Sequence, residues 1–251
     1  MNFDDLDAKM RVYETSLDLC VLPNMFIIMR LDGRGFTKLT KKIHKFEVPF
    51  DIKFRDYMVE TTKYLMECGF KVTYAYTESD EISLLLHIDE DGFNRKIRKL
   101  NSIFAGEASA KFSLLLSDIG CFDSRVCQFP NKELVVDYFR WRNQDAFRNS
   151  LNSYCYYTLR KNGESVNAAT KFLLGMSVAD KNELLFQNGI NFNDIPNWQK
   201  RGVGLYFEEY EKKGFDKKLE IETTCMRKRI KIDYDLPMGD EYGNFILNLI
   251  K

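Results

Sequence analysis

The hydrophobic period changes several times in the first half of the chain, and this order of changes constrains the fold more than any other feature. An unbroken apolar run at residues 25–31 predicts a buried strand. A helical pattern follows from about 51 to 66, with Asp51 as its N-cap. Two runs rich in β-forming residues, 72–77 and 82–87, then flank four polar residues, which predicts a hairpin.

A second helical pattern at 93–117 and a strand pattern at 122–129 complete the series β-α-β-β-α-β. This series is the split βαβ arrangement of a ferredoxin-like antiparallel sheet, with the helices packed on one face. The sequence therefore predicts an α+β fold built on such a sheet.

The second half of the chain is mainly helical by its pattern. Apolar residues recur at helical spacing over 131–160, and Asn162-Gly163 interrupts them. Ser177 is the predicted N-cap of a helix at 178–188, and Gly189 is its predicted end.

Length and composition are those of a protein with a full hydrophobic core: 251 residues, of which 45% are hydrophobic. We predict a sheet domain at 1–130 with a mainly helical portion at 131–251 packed on it, or one continuous domain. No apolar stretch approaches the roughly 20 residues that a membrane span needs, so no membrane partner is expected. The acidic segment 1–7 and six cysteines without a Cys-x-x-Cys pair argue against zinc and favour a cytoplasmic location, although a mitochondrial one stays open.

The net charge is zero, with 37 basic and 37 acidic residues, so the sum alone indicates no nucleic-acid partner. The distribution is less even, because basic clusters lie at 41–45, 95–99 and 227–231. Such clusters bind phosphates in some proteins and are only solvated surface in others. Charge alone leaves both interpretations open.

Two groups of carboxylates stand out because each lies at the end of a predicted strand. Asp32 follows the run 25–31, and Asp80 and Glu81 occupy the tip of the predicted hairpin. Asp-Gly is also a favoured turn pair, and each carboxylate alone is equally compatible with a solvated turn. In a ferredoxin-like sheet these strand ends are neighbours, and carboxylates so placed can hold Mg²⁺. The combination indicates phosphoryl or nucleotidyl transfer.

Several residues near these carboxylates have the chemistry to contact phosphates. Gly33 and Gly35 would leave backbone N–H groups accessible to phosphate oxygens. Arg95 and Lys99 lie four residues apart on one helical face, where they could grip a triphosphate or simply face solvent. The two histidines lack the partner pattern of an acid or a base, and we interpret them as structural.

A long ordered series of motifs resembles the tRNA-histidine guanylyltransferase superfamily. Its first half comprises Arg30-Leu31-Asp32-Gly33-Arg34-Gly35-Phe36, Phe46-x-x-Pro49-x-Asp51, Glu78-Ser79-Asp80-Glu81-Ile82-Ser83, and Phe93-Asn94-Arg95 with Lys99-Leu100. Its second half comprises Phe122-Asp123-Ser124-Arg125-Val126, Asp137-Tyr138-Phe139-x-Trp141-Arg142-x-x-Asp145, Asp180-Lys181-Asn182-Glu183-Leu184-Leu185-Phe186 and Gly189-Ile190-Asn191-Phe192-Asn193. The blocks keep the family's order and spacing over roughly residues 10–206.

The resemblance implies a polymerase-palm catalytic domain that adds nucleotides in the 3′–5′ direction, at the 5′ end of tRNA. A 5′-monophosphate is first activated with ATP, or a 5′-triphosphate is used directly. The 3′-hydroxyl of an incoming nucleoside triphosphate then attacks the 5′ α-phosphate and releases AMP or pyrophosphate. By the same resemblance Asp32, Asp80 and Glu81 are catalytic, and Asp32, Asp80 and the Gly33 carbonyl bind two Mg²⁺ ions. The implied nucleotide contacts are Asp32, Gly33, Arg34, Gly35, Phe36, Thr37, Ser79, Asp80, Arg95 and Lys99.

Two departures from the family pattern bear on which reaction this chain performs. Eukaryotic members that add a guanosine to tRNA-His carry His-Ile-Asn-Asn-Leu-Tyr-Asn, where this chain has Phe147-Arg148-Asn149-Ser150-Leu151-Asn152-Ser153. The form found here resembles the guanylyltransferase-like branch, which favours template-dependent repair of tRNA 5′ ends. Val48 stands where many members have Lys, and Lys45 or Lys53 is the expected substitute.

The leading hypothesis is therefore a Mg²⁺-dependent, template-directed 3′–5′ nucleotidyltransferase that repairs or edits tRNA 5′ ends. The alternatives are untemplated guanosine addition to tRNA-His, another palm enzyme such as a nucleotide cyclase, and a non-catalytic tRNA-binding palm module. ATP, GTP and other nucleoside triphosphates are the expected substrates, and Arg142 and Asn149 are the expected RNA contacts. Family members usually form tetramers, so the resemblance also implies a homotetramer.

Overall fold

The computed structural model describes residues 2–216 and 221–250. Its strands are β1 (Phe26–Arg34), β2 (Val72–Glu78), β3 (Glu81–Leu86), β4 (Cys121–Phe129), β5 (Val203–Asp216) and β6 (Ile221–Asp233). Its helices are α1 (Phe3–Thr15), α2 (Phe36–Lys38), α3 (Ile52–Leu65), α4 (Ile97–Leu116), α5 (Lys132–Lys161), α6 (Val166–Leu173), α7 (Val178–Gln187), α8 (Asn197–Arg201) and α9 (Gly239–Leu249). The strands form one antiparallel sheet in the order β4-β1-β3-β2-β5-β6. None of these described helices is long and apolar enough to cross a membrane.

The predicted α+β fold is confirmed, as are the strands and helices predicted for the first half. α3 begins after Asp51, whose carboxylate accepts a hydrogen bond of 2.9 Å from the Phe54 N–H, as expected of an N-cap. In the second half, Ser177 caps α7 through reciprocal hydrogen bonds with Asp180. Gly189 follows α7 with a φ of +77°, a conformation that glycine adopts readily.

Element boundaries differ from the prediction at the two places where the carboxylates lie. β1 continues past Asp32, because the strand still pairs with β4 there. The hairpin tip shrinks to Ser79 and Asp80, because Glu78 and Glu81 pair across the hairpin. Asp32 and Glu81 are consequently strand residues that lie opposite each other.

Helices cover both faces of the sheet: α3 and α4 of the predicted β-α-β-β-α-β unit pack on one face, as predicted, and α5 and α9 of the C-terminal portion cover the other. Met29 points to the first face and lies in a core cluster with residues of α3 and α4. Ile28 points to the second face and packs with Tyr138 of α5 and Tyr242 of α9. Because β1 is buried from both sides, its run at 25–31 is apolar without alternation as far as Met29, and Arg30 is its one charged residue.

The C-terminal half contains two long strands that its pattern did not predict. β5 pairs with β2 through residues 203–206 and then continues with β6 alone. The ribbon beyond the sheet is largely exposed, so ion pairs such as Glu208–Arg229 occupy it in place of an apolar alternation. The sheet thus crosses the predicted boundary near residue 130, and the division into two domains stays a prediction.

Candidate active site

The second face of the sheet changes from apolar to polar toward one end. Along β1 this face carries Ile28, Arg30 and Asp32 in turn, since alternate residues of a strand share a face. Glu81 of β3 lies directly opposite Asp32, and Asp123 of β4 lies opposite it on the other side. Charged side chains are thereby concentrated at this end of the sheet.

The hairpin tip is held against β1 by its backbone. Ser79 adopts a left-handed conformation with φ +49°, and the Gly33 N–H donates a hydrogen bond of 3.0 Å to the Asp80 carbonyl. Burial raises the pKa of the Asp80 carboxyl, and the charge of Asp32 acts in the same direction. The structure thus brings Asp32 and Asp80 close enough for each carboxylate to repel the other.

A buried guanidinium anchors Glu81 behind these carboxylates. Glu81 forms an ion pair with Arg30 at 2.7 Å and accepts a hydrogen bond from Arg142 at 2.6 Å. Arg142 also donates to Glu78 at 3.0 Å and to Asp145 at 3.1 Å. The prediction that Arg142 contacts RNA is wrong, because only 3% of the residue is exposed and three carboxylates surround it.

Burial has the largest effect on the pKa values of the two glutamates in this network, Glu78 and Glu81. Burial raises the pKa of Glu78 to about 8 and also raises the pKa of Glu81, while Arg142 acts in the opposite direction on both. Asn149, the other predicted RNA contact, is exposed and donates to Asp145 at 3.3 Å. Its contact with RNA stays a prediction.

The segment after β1 is shaped by Phe36, whose ring lies in the core. Phe36 packs on Phe112 and Phe122 at centroid distances of 5.0 and 4.9 Å. A Cβ at position 33 would lie 2.6 Å from this ring, so the packing requires Gly33. The Gly33 N–H is taken by Asp80, so it is not open to phosphate as predicted, and the buried Phe36 ring cannot contact a nucleotide. The contacts predicted for the exposed residues of this segment stay predictions: Arg34, Gly35 and Thr37.

A pocket of about 400 Å³ opens beside the carboxylates, and the hairpin tip forms part of its wall. Aromatic side chains line a second part: Phe46, Phe50 and Trp198. Side chains of α5 line a third part: Asn149, Ser150, Asn152, Ser153 and Tyr157. Apolar surfaces with a few convergent polar groups are typical of small-molecule sites. Aromatic walls next to carboxylates fit a nucleobase whose phosphates lie near metal ligands.

Sequence reasoning missed Lys41 and, apart from Asn149, the α5 residues of this wall. Lys41 lies on a π-helical turn, Leu39–Ile43, and the sequence showed it only as part of a basic cluster. Ser150, Ser153 and Tyr157 recur at a spacing that places them on one face of a helix. That spacing was visible in the sequence, but solvated helix faces show the same polar pattern.

Two expected lysines lie outside the pocket. Lys45 and Lys53, the expected substitutes for a lysine at position 48, do not belong to its lining. The Lys53 ammonium lies 5.7 Å from the ring centroid of Tyr57 instead. The only lysine among the described lining residues is Lys41.

Arg95 and Lys99 are not brought to the carboxylates. Arg95 donates to the carbonyl of Met25, just before the start of β1, and the Lys99 ammonium lies 5.8 Å from the Phe93 ring centroid. β1 rises by about 3.3 Å per residue, so about 20 Å separates its start from Asp32. The prediction that these cations grip a nucleotide held at Asp32 is therefore wrong within one chain.

The donor set at the carboxylates fits Mg²⁺. Among the described residues, no group of three or more His, Cys, Asp or Glu side chains is arranged as a complete metal site. Mg²⁺ does not need one, because it commonly takes one or two carboxylates and completes its shell with phosphates and water. Asp32 and Asp80, which lie together beside an open pocket, supply such a partial all-oxygen set.

Comparison with known proteins gives the same family that the sequence motifs resemble, and it does so over nearly the whole chain. Residues 7–130 match the family model described as tRNAHis guanylyltransferase, and residues 133–235 match the one described as Thg1 C terminal domain. The tRNA(His) guanylyltransferase of Debaryomyces hansenii is 33% identical over 242 residues, which cover 89% of this chain and 91% of that protein.

Solved structures agree in fold. A bacterial tRNA(His) guanylyltransferase (Thg1)-like protein in complex with GTP has a TM-score of 0.74 and 26% identity, and the match covers 98% of this chain and 99% of that one. The bacterial Thg1-like protein in complex with ATP gives a TM-score of 0.75 with the same identity and coverage. The chain therefore belongs to the tRNA(His) guanylyltransferase family and is a nucleotidyltransferase.

Proposed function

We propose that this nucleotidyltransferase adds guanosine to the 5′ end of tRNA-His. The observation that carries the proposal is the pocket lined by Asp80, which joins aromatic walls for a base to a carboxylate on the hairpin tip next to Asp32. The name of the Debaryomyces relative, which this chain matches over 91% of its length, supports guanosine as the nucleotide and tRNA-His as the acceptor. Template-directed repair, the leading hypothesis from the sequence, has less support from the named relatives.

In this reaction the base of a nucleoside triphosphate lies against the aromatic wall, and its phosphates reach toward Asp80. The 5′-monophosphate of the tRNA first attacks the α-phosphate of ATP and releases pyrophosphate, or the tRNA carries a 5′-triphosphate. The 3′-hydroxyl of the nucleoside triphosphate then gives up its proton and attacks the 5′ α-phosphate, and a phosphodiester bond forms as the bond to AMP or pyrophosphate breaks. Two Mg²⁺ ions, held by Asp32, Asp80 and the Gly33 carbonyl, would supply charge neutralisation and activation of the attacking hydroxyl. Arg30 and Arg142 keep Glu81 fixed behind these ligands.

Template-directed 3′–5′ addition is the second candidate. The bacterial Thg1-like protein matches 98% of this chain, and the segment Phe147–Ser153 departs from the block of the guanosine-adding members. Three of the departing residues of that segment line the pocket: Ser150, Asn152 and Ser153. The departures thus lie where they would act on the choice of nucleotide or acceptor.

A primer-extension assay separates the two candidates. Labelled tRNA-His without its extra 5′ nucleotide, and a second tRNA without its first nucleotide, are incubated with Mg²⁺, ATP and each nucleoside triphosphate in turn. We expect GTP to extend tRNA-His whatever nucleotide stands opposite the added one. Extension only by the complementary nucleotide, on both RNAs, would support the second candidate, and no extension of either RNA would contradict both.

A further inference from the structure

Lys41 is exposed to solvent, but unlike the other exposed lysines of its basic cluster it lies on the wall of the pocket. It lies on the π-helical turn and lines the pocket, and its ammonium is 5.5 Å from the ring centroid of Tyr157 on α5. It also shares the lining of this pocket with Ser79 and Asp80 of the hairpin tip. The ammonium is therefore close to both α5 and the carboxylate end of the sheet.

The pocket around Lys41 is negatively charged. Five carboxylates line it, against two cations, Lys41 and Arg55. Arg55 is already committed, because it pairs with Asp56 at 2.7 Å and its guanidinium lies 4.6 Å from the ring centroid of Trp198 and 4.8 Å from that of Tyr234. An anionic substrate therefore finds one uncommitted cation in the described lining of the pocket.

Neighbouring arginines do not compete with Lys41 for such a substrate. Four of them pair with a carboxylate at this end of the sheet, Arg30, Arg125, Arg142 and Arg148, and Arg34 does not belong to the described lining of the pocket. Lys41, by contrast, has no ion pair and no hydrogen bond to any of the described residues. Its one close partner is the Tyr157 ring, whose face attracts a cation without neutralising it.

An unused hydroxyl on α5 lies in the same pocket. Ser150 is 1% exposed, lines the pocket, and has no hydrogen-bond partner for its Oγ. Leaving a buried hydroxyl without a partner costs free energy that a bound ligand or water recovers. Ser150 and Tyr157 are seven residues apart on one face of α5, so the hydroxyl and the ring beside Lys41 face the same space.

We propose that Lys41 is the phosphate-binding cation of this pocket and that Ser150 is an accompanying hydrogen-bond donor. A phosphate is the matching anion, because charge-assisted hydrogen bonds to its oxygens use both an ammonium and a hydroxyl. The inference rests on the proposed function, since it names binding residues of the same site. Two phosphates are candidates for the contact, the triphosphate of the bound nucleotide and the 5′-phosphate of the tRNA.

Equilibrium binding tests the contact without depending on catalysis. The full chain and its Lys41→Met, Lys41→Arg and Lys42→Met variants are titrated with guanosine, GMP and GTP in the presence of Mg²⁺. If Lys41 contacts the triphosphate, Lys41→Met weakens GTP binding by about 10-fold or more and leaves guanosine binding unchanged. Lys41→Arg retains most of the affinity, and Lys42→Met, an exposed neighbour on the same turn that does not line the pocket, has no effect.

A second arm uses tRNA-His with a 5′-phosphate or a 5′-hydroxyl. If Lys41 contacts the tRNA, the wild-type chain prefers the phosphorylated RNA, and Lys41→Met abolishes this preference while GTP binding stays unchanged. The inference is overturned if Lys41→Met matches Lys42→Met in both arms. Failure of the wild-type chain to bind GTP and tRNA would instead contradict the proposed function, and with it this inference.

A double-mutant cycle with Tyr157→Leu checks that the ring acts through Lys41. We expect Tyr157→Leu to weaken phosphate binding in the wild-type chain and to add nothing in the Lys41→Met background. Ser150→Ala is expected to weaken GTP binding less than Lys41→Met, because it removes a neutral donor. Equal effects of Tyr157→Leu in both backgrounds would contradict a shared role of the ring and the ammonium.

Discussion

The two ends of the sheet carry charge in very different arrangements. At one end the hairpin tip that carries Asp80 is hydrogen-bonded to the residue after Asp32, and Asp80 lines an open pocket, so like charges are held together. At the other end Asp18 pairs with Lys96 at 2.7 Å and with Arg98, so opposite charges cancel. The first arrangement is unfavourable until cations and phosphates bind, which is typical of a reaction site. The second fastens the segment after α1 to the start of α4 and needs no ligand.

The largest effect is expected where like charges meet. Asp32→Asn and Asp80→Asn each remove a carboxylate without changing its shape, and we expect nucleotide addition to fall by about 1,000-fold or more. The free energy of unfolding should change by less than about 1 kcal/mol, because neither side chain fills the core. Single-turnover extension assays and urea unfolding measure the two quantities.

Asp123→Asn is the matched control for this prediction. Asp123 lies opposite Asp32 on β4, but it is exposed and lies on the side of β1 away from the hairpin tip. Activity of the Asp123→Asn variant should stay near that of the wild-type chain. Equal losses of activity in all three variants would show that activity depends on the total negative charge at this end of the sheet and not on the positions of Asp32 and Asp80.

Arg142→Met is the second test, and it acts on the support of the site. The substitution leaves Glu78, Glu81 and Asp145 without their shared cation, which typically costs about 3–5 kcal/mol of unfolding free energy for a buried pair. Activity of the folded fraction should also fall, because Glu81 loses one of its two anchors. Arg140→Met on the same helix is the control, since the exposed pair of Arg140 with Asp240 should contribute about 0–1 kcal/mol. Similar urea midpoints for the two variants would contradict the role assigned to Arg142.

The pH dependence of stability tests the burial of Glu78. Its pKa in the folded chain is raised to about 8 from an ordinary 4.5, so folding favours the protonated form. The contribution of Glu78 to the free energy of unfolding is fully present below about pH 4.5 and is lost as the pH rises toward about 8. Glu78→Gln has no charge to acquire, so its stability relative to the wild-type chain should increase over this window and then level off. Urea unfolding at pH 5, 7 and 9 without Mg²⁺ measures this difference, and a constant difference would contradict it.

Strong periodicity explains why much of the fold and part of the site could be predicted. The run at 25–31 and the hairpin after it fixed two antiparallel neighbours, and their pairing places Asp32 next to Asp80. The same topology could have excluded Arg95, because β3 starts beside Asp32 and leads away from it to the far end of the sheet. The prediction for Arg95 failed because it assumed that a cation anywhere in the sheet could reach the carboxylates.

The contacts of individual Lys and Arg side chains could not be predicted from periodicity. Arg142 has the same local sequence whether it faces RNA or three buried carboxylates, and only the packing of α5 on the sheet decides between them. Lys41 reaches the pocket because Leu39, on the same π-helical turn, is buried in the core. Neither contact leaves a periodic signal, because each depends on residues far apart in the chain.

The smallest effect is expected at the balanced end of the sheet. Asp18→Asn weakens the pairs with Lys96 and Arg98, so we expect a small loss of stability in urea unfolding. GTP affinity and nucleotide addition should stay within about twofold of the wild-type values, since removing a pair distant from the site leaves local contacts intact. A large change in GTP affinity would mean that the cations freed by this variant influence the pocket. The two ends of the sheet would then be coupled, and the separation of a reactive end from a structural end would no longer hold.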